Sequence, residues 1–312
     1  MPEVRTVRGA VDPSQIGFTL PHEHTAISLW HVPNRWDYWE LRRDEETILA
    51  ELGSFRDAGG SCLVDVTLPG VGRDPAWLRG LAERTGLHIV MGCGWYRGAY
   101  YPAEASIDRR STDDLADELV GEIEAGVGDS GVRPGIIGEI GTDKPWVSPT
   151  EERVHRAAAR AARRTGLALT THAIQSDVGL DQLRIFEEEG ADPSRVVIGH
   201  ADSNPSAAYY RAIVERGANL EFDFLGMTFT PLEQRGEPRL IRLLSDLLDG
   251  GFGERILLSQ DVCHDSQLQA YGGNGYTYLL ATFLPRLREA GVSEPAIEQM
   301  TVGTPRRILS VG

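Results

Sequence analysis

The sequence predicts an α/β protein of the (β/α)8 (TIM) barrel class, folded as one domain over residues 1–312. Two observations carry this reading. Eight short apolar runs are each followed by a stretch with helical spacing, which implies parallel strands joined by crossover helices. Eight such units match a closed barrel, and no low-complexity linker divides the chain. The rival is an open doubly wound sheet. It would favour a GxGxxG between an early strand and a helix, and none is present.

The elements follow in order. Residues 1–24 lead into a short strand that ends Gly17-Phe18-Thr19-Leu20-Pro21-His22-Glu23-His24. Residues 25–43 hold Trp30, Trp36, Tyr38 and Trp39 and read as a loop packed over that strand end. Ile48, Leu49, Leu52 and Phe55 recur at helical spacing within 44–58, and Gly59-Gly60 stops that helix. Cys62-Leu63-Val64-Asp65-Val66 is the next strand, 74–85 a helix, and His88-Ile89-Val90-Met91-Gly92 a strand. Ser111-Thr112-Asp113-Asp114 caps a helix over 112–126. Ile136-Ile137-Gly138-Glu139-Ile140 is a strand, with a helix over 149–165 after Ser148-Pro149. Strands at 167–171, 196–199, 219–223 and 256–259 alternate with helices at 178–189, 205–216, 237–249 and 274–290. A last helical segment lies near 294–309.

Composition narrows the function classes. A net charge of −15 argues against nucleic-acid binding and against an anionic membrane surface. It suits solubility and the holding of divalent cations. Cys62, Cys93 and Cys263 form no CxxC and read as reduced thiols of a cytoplasmic protein. Met1-Pro2-Glu3-Val4-Arg5 lacks a signal-peptide pattern. No apolar stretch approaches the ~20 residues of a membrane helix.

The chemistry gathers at strand ends. In an extended strand residues i and i+2 share a face, so His22 and His24 can present two imidazoles together. Alone, the pair is as readily two loop histidines. But a barrel of this kind places its site at the C-terminal strand ends. Strand four carries Glu139, strand five ends in His172, strand six in His200, and strand eight in Asp261. His31, His88, His155 and His264 are scattered and read as structural or solvated. Imidazoles mixed with carboxylates suit Zn, Mn, Fe or Co. Four His and two carboxylates exceed one tetrahedral ion and fit two ions sharing a bridge.

These residues carry a resemblance. The chain resembles the phosphotriesterase family of the amidohydrolase superfamily over nearly its whole length. The matching pieces are Thr19-Leu20-Pro21-His22-Glu23-His24, Gly135-Ile136-Ile137-Gly138-Glu139-Ile140-Gly141-Thr142, Thr171-His172, Ile198-Gly199-His200-Ala201-Asp202, and Leu258-Ser259-Gln260-Asp261-Val262-Cys263. The resemblance implies a binuclear metal hydrolase that opens lactones or cleaves related esters by attack of a metal-bridging hydroxide. Phosphotriester cleavage is then a side activity. A true phosphotriesterase, or an amidase or deaminase of the wider superfamily, is the alternative. It implies two divalent ions per chain, with Zn first and Mn, Co or Fe as alternatives. His22 and His24 match ligands of the more buried ion. Asp261 matches its remaining ligand and the proton shuttle. His172 and His200 match ligands of the more exposed ion.

Many relatives bridge the ions with a carboxylated lysine; a subset uses glutamate, and here Glu139 takes that position. The two-residue period gives the same answer if Ile136, Gly138 and Ile140 face the helices and Glu139 the interior. Lys144, past Gly141, is the competing candidate. Tyr96 matches a tyrosine beside the metals in lactonase relatives, or packs. Asp65 and Asp202 read as capping or orienting groups. Phe222-Asp223-Phe224 departs from lactonase relatives that carry Asp-Arg, and Gln267 and Gln269 replace arginines of phosphate-binding relatives. Those departures count against a phosphorylated sugar lactone. Trp30, Trp36, Trp95, Phe224 and Phe229 either line an apolar substrate pocket or pack loops. The expected partner is a small lactone or ester with an apolar part, and a homodimer is implied only by the resemblance.

Overall fold

Eight parallel strands form one sheet in sequence order and curl into a nearly closed barrel. They are β1 (Thr19–Glu23), β2 (Cys62–Asp65), β3 (His88–Cys93), β4 (Ile136–Gly141), β5 (Leu169–His172), β6 (Val196–Ile198), β7 (Asn219–Phe222) and β8 (Ile256–Leu258). The computed structural model describes residues 2–32, 35, 39–227 and 233–312, with the side chains of 233–236 excepted. The expectations for Trp36 and Phe229 fall outside the described residues. Among the described residues no helix is long and apolar enough to cross a membrane.

Helices α1 (Glu45–Asp57), α2 (Pro75–Thr85), α3 (Thr112–Ala125), α4 (Pro149–Thr165), α5 (Val178–Glu188), α6 (Ala207–Val214) and α7 (Glu233–Asp249) follow the first seven strands. Local sequence sets their starts. Asp74 accepts from the Ala76 and Trp77 N–H groups at the start of α2. Ser111 with Asp114, and Ser148 with Glu151, form reciprocal caps on α3 and α4. After β8 the chain is less regular: two π turns, Leu279–Phe283 and Gln299–Gly303, interrupt the two helical segments expected there. Within 25–43, Ile27–Ser28 pairs antiparallel with Glu40–Leu41 just after β1.

Two layers of apolar side chains flank the sheet. Cys62, Val64, Val90, Ile136, Ala168, Val197 and Leu257 pack with Val4, Ile16, Ile308 and Leu309 in a cluster made by the strands and the chain's two ends. Leu63, Ile89, Ile137, Ile140, Leu169, Ile198 and Leu258 belong to the larger cluster shared with the helices. This corrects one expectation: Ile136 does not share the side of Ile140. Strict alternation from Ile136 would turn Glu139 toward the helices. Between Ile137 and Ile140 the pairing with β5 slips, three steps on β4 facing two on β5, from Leu169 to Thr171. The extra residue restores Glu139 to the interior. Gly138 sits there at φ 121°, and a Cβ on it would lie 2.1 Å from the Thr170 carbonyl oxygen. β1 slips in the same way between Leu20 and Glu23 against Leu63 and Asp65 of β2. Both strands that bring a ligand candidate from mid-strand are therefore bulged.

The first and last strands meet through side chains. Buried Glu23 accepts from the Gln260 and Val262 N–H groups, at 2.8 and 2.7 Å, and from Ser259 Oγ at 2.7 Å. The Asp261 N–H donates to the His22 carbonyl at 3.2 Å. The odd residue between the two histidines thus anchors the strand end that carries Asp261.

Candidate metal centre

All six expected ligand residues converge at the C-terminal end of the barrel, and all are buried. His22 lies on β1 with His24 just beyond it; Glu139 is on β4 and His172 ends β5. His200 and Asp261 follow β6 and β8 in left-handed backbone, at φ 54° and 47°. Non-glycine residues take that conformation at some cost, and such positions cluster at functional sites.

Glu139 stands at the centre. Its Oε2 lies 2.9 Å from His172 Nδ1, 3.4 Å from His200 Nε2 and 3.6 Å from His22 Nε2. Its Oε1 lies 3.5 Å from His24 Nε2. Asp261 Oδ1 is 3.3 Å from His24 Nε2 and 4.0 Å from His22 Nε2. Ligand atoms of His22, His24 and Glu139 fall within 4.8 Å of one another, as do those of Glu139, His172 and His200, and of His22, His200 and Asp261. Glu139 belongs to two of these groups.

An outer layer fixes the imidazoles. Glu221 Oε2 lies 3.1 Å from His22 Nδ1, Thr67 Oγ1 2.8 Å from His24 Nδ1, and Asp223 Oδ1 2.8 Å from His200 Nδ1. With Nδ1–H donating outward, three Nε2 lone pairs point inward, which is how proteins hold imidazoles on metals. His22 Nε2 is buried with no hydrogen-bond partner. His200 Nε2 and His172 Nδ1 approach to 2.7 Å, a contact that a proton or a shared cation must satisfy. The donor set and the orphaned nitrogen fit divalent metal ions.

Electrostatics point the same way. Burial alone would lower the His22 pKa, but Asp223, Glu139 and Glu221 outweigh it and raise it to about 10. Burial and the neighbouring His200 lower His172 to about 4. Burial would raise Glu139, yet its bonds to His172 and His200 hold it well below the usual carboxylate range. The carboxylates around His22 therefore favour positive charge at that ring, while burial and His200 keep the His172 ring neutral.

The remaining candidates separate. Lys144 is about half exposed, and its Nζ lies 3.5 Å from Asp143 Oδ2. Tyr96 is buried with its OH 3.3 Å from His172 Nδ1. Asp65 accepts from the Thr25 N–H and the Thr67 N–H, and Asp202 from the Phe224 N–H, as orienting groups. His155 is buried with Nδ1 2.7 Å from the Glu151 carbonyl, and His264 bonds Ser266 in its own turn. Neither belongs to a ligand group.

A cavity of about 450 Å³ opens over the cluster. Ile27, Leu29, Trp39, Ile174, Phe224 and Met227 form its apolar wall, and no Lys or Arg lines it among the described residues. Of the expected aromatics that are among the described residues, Trp30, Trp95 and Phe224, only Phe224 is on this wall. Trp30 points to solvent at 62% exposure. Trp95 is buried beside a separate cavity with Arg73 and Glu122. The β3 alternation explains the latter, because Trp95 continues the series Ile89, Met91 and Cys93 that faces the helices. Trp39 and Tyr96 supply the aromatic surface instead.

Sequence reasoning passed over Glu221, Thr67 and the supporting role of Asp223. A signal was present: in Asn219-Leu220-Glu221-Phe222-Asp223 two carboxylates alternate on one face of a buried strand. Asp223 takes two bonds from His200, at Nδ1 and at the backbone N–H (2.9 Å to Oδ2). An Asn cannot accept at both atoms. Asp223→Asn is therefore expected to weaken metal affinity roughly 10–100-fold, read by competition with a chelator of known strength. Unchanged affinity would remove Asp223 from the supporting layer.

Comparison with known proteins came to the same place. Residues 2–309 match the model of the "Phosphotriesterase family". A "Phosphotriesterase homology protein" of Escherichia coli (strain K12) is 35% identical, covering 91% of this chain and 94% of its own. An "N-acetyltaurine hydrolase" of Bos taurus is 29% identical, covering 99% and 98%. Among solved structures, a resiniferatoxin-binding protein from Rhodobacter sphaeroides superposes with a TM-score of 0.91 at 34% identity, covering 98% of this chain and 94% of its own. A multiply substituted mutant of a PTE-like lactonase from Deinococcus radiodurans gives 0.83 at 30%, covering 98% and 99%.

Proposed function

The chain belongs to the phosphotriesterase family of hydrolases, and from that membership we propose that it opens lactones or cleaves related esters with two divalent metal ions. The observation that supports the number two is that the two oxygens of Glu139 face different imidazoles, Oε1 toward His24 and Oε2 toward His172 and His200. In this reading His22, His24 and Asp261 would hold one ion and His172 and His200 the other, with Glu139 shared between them. Zn suits the donors best, with Mn, Co or Fe as alternatives. When bound, such ions would supply a hydroxide nucleophile near neutral pH and Lewis acidity toward the substrate's oxygen.

The chain's own groups do the rest. Asp261 takes the proton of the attacking water and returns one to the leaving oxygen. Glu221, Asp223 and Thr67 keep the imidazoles in one tautomer. Tyr96, against His172, borders the reacting carbonyl. The apolar wall holds the acyl or alkyl part of the substrate and limits water. Phosphotriester cleavage follows as a side activity, because a neutral triester suits the same uncharged wall. We also read the chain as one barrel domain of a cytoplasmic protein; Cys62, Cys93 and Cys263 are buried and unpaired.

A second reading has one observation behind it. The N-acetyltaurine hydrolases share the whole chain length, and their named substrate is an amide with a sulfonate. The absence of a cation among the described lining residues favours an uncharged ester over such an anion. The test is elemental analysis of purified protein followed by a panel of lactones, esters, organophosphates and N-acyl amino sulfonates. The expected result is about two ions per chain with lactone or ester turnover. One ion per chain with amide turnover only would replace this reading by an amidase. A metal-loaded protein inert to the whole panel would replace it by a binding protein.

A further inference from the structure

The opposite, N-terminal face of the barrel carries another cavity, of about 370 Å³. It lies between the N-terminal hairpin (Glu3–Thr6 and Gly9–Val11), α2 and the 131–133 segment that leads into β4. Arg5, Arg8, Arg79 and Arg133 line it against two carboxylates, Glu3 and Glu83. Four cations against two anions leave a local excess of two positive charges, in a chain with net charge −15.

The way these arginines are held is informative. Arg5 Nη1 and Arg133 Nε donate to the Ile123 carbonyl at 3.3 and 3.1 Å. Arg79 donates to the Val7 and Ser130 carbonyls at 3.2 and 2.8 Å, and Arg8 to those of Gly86 and Leu87 at 3.3 and 3.4 Å. Carbonyls orient a guanidinium without neutralising it. Among the described residues only Arg5 of the four has a carboxylate within ion-pair distance, Glu3 at 3.3 Å. Elsewhere some arginines pair with acids, as Arg73 does through two 2.8 Å bonds to Glu122 and Arg156 with Glu152, Glu188 and Glu189, while Arg153, Arg163, Arg239 and Arg306 rest singly on backbone carbonyls without gathering at one cavity. Arg195 and Arg307 are also carbonyl-bound, but each spreads over three acceptors. Arg133 uses only its Nε, which leaves both terminal nitrogens as donors at the cavity.

We propose that this cavity binds a phosphate group, free or carried on a small organic ester, through Arg8, Arg79 and Arg133. Planar guanidinium forks match phosphate oxygens, and a dianion cancels the local excess. Binding there uses none of the metal-centre residues.

The test titrates the metal-loaded full chain calorimetrically, at low ionic strength, with inorganic phosphate and separately with glycerol phosphate. Phosphate can also sit on metals, so wild type is compared with Arg8→Gln/Arg133→Gln. Both positions are exposed, and unchanged hydrolytic turnover reports an intact fold. The expected result is a phosphate site in wild type that weakens at least tenfold in the Gln pair and returns in Arg8→Lys/Arg133→Lys. Added NaCl weakens it further. Tighter binding of the ester identifies an organic phosphate as the occupant; equal or weaker binding identifies the free anion. The same affinity and stoichiometry in the Gln pair as in wild type, or no saturable heat in wild type, overturns the proposal.

Discussion

Asp261→Asn is expected to lower kcat by roughly a thousandfold, within the range that general acid–base groups contribute, while the protein keeps its fold and most of its metal. The backbone argues for an intact fold. Asp261 sits in the left-handed region at φ 47°, which Asn tolerates well. Its N–H bonds the His22 carbonyl at 3.2 Å and its carbonyl accepts from Gln267 Nε2 at 3.0 Å, contacts an Asn keeps. The amide oxygen can still face His24 Nε2, 3.3 Å away in the native chain. What disappears is the negative charge and the ability to take a proton. The native carboxyl is ionised and so able to accept one. Burial would raise its pKa, but the bond from His24 and the charges of His22 and His200 keep it below the ordinary aspartate value. The measurement is kcat and KM on the best lactone or ester of the panel, with metal content and a thermal melt alongside. Turnover within tenfold of wild type, at full metal content, would take the proton-transfer role away from Asp261.

The barrel and the six ligand candidates were legible in the sequence because they obey local rules. Each strand is a short apolar run and each helix has its stop or cap, as Asp74, Ser111 and Ser148 illustrate. The His-bearing strand ends stand out because His22, His24, His172 and His200 all close apolar runs. What local rules could not supply was the geometry at the rim. Glu139 reaches the interior through a bulge that a two-residue period does not contain, so its interior facing was reached through a wrong facing of Ile136. The bulge leaves a trace at Gly138, where a side chain would collide with the Thr170 carbonyl. A lone glycine in a strand signals irregularity but not its direction. The pocket wall was harder still. Trp30 and Trp95 are as aromatic as Trp39; the path of the Ile27–Ser28 and Glu40–Leu41 strands decides between Trp30 and Trp39, and the outward parity of β3 takes Trp95 away from the cavity. The supporting carboxylates Glu221 and Asp223 were visible as a pattern. Their meaning depends on β7 lying beside His22 and His200, a tertiary fact.

Glu139→Gln is expected to reduce bound metal from about two ions per chain to one or fewer and to cut turnover at least a hundredfold, whereas Lys144→Ala leaves both unchanged. The two substitutions separate two ways of building a bridge. A carboxylated lysine would need its Nζ among the imidazoles and would make activity respond to bicarbonate. Lys144 instead lies at the surface beside Asp143. Glu139 offers both oxygens to the cluster, Oε2 toward His22, His172 and His200 and Oε1 toward His24. Gln keeps the shape and one oxygen but replaces the other by an NH2 group, which repels a cation and cannot ligate it. It also removes the charge that faces His22 and His200 at 3.6 and 3.4 Å. Metal content by elemental analysis and turnover with and without bicarbonate read the two cases apart. If Lys144→Ala lost metal, and bicarbonate restored wild-type activity after its removal, the bridge would belong to the lysine. Glu139 would then be only the acid that holds the histidines apart from water.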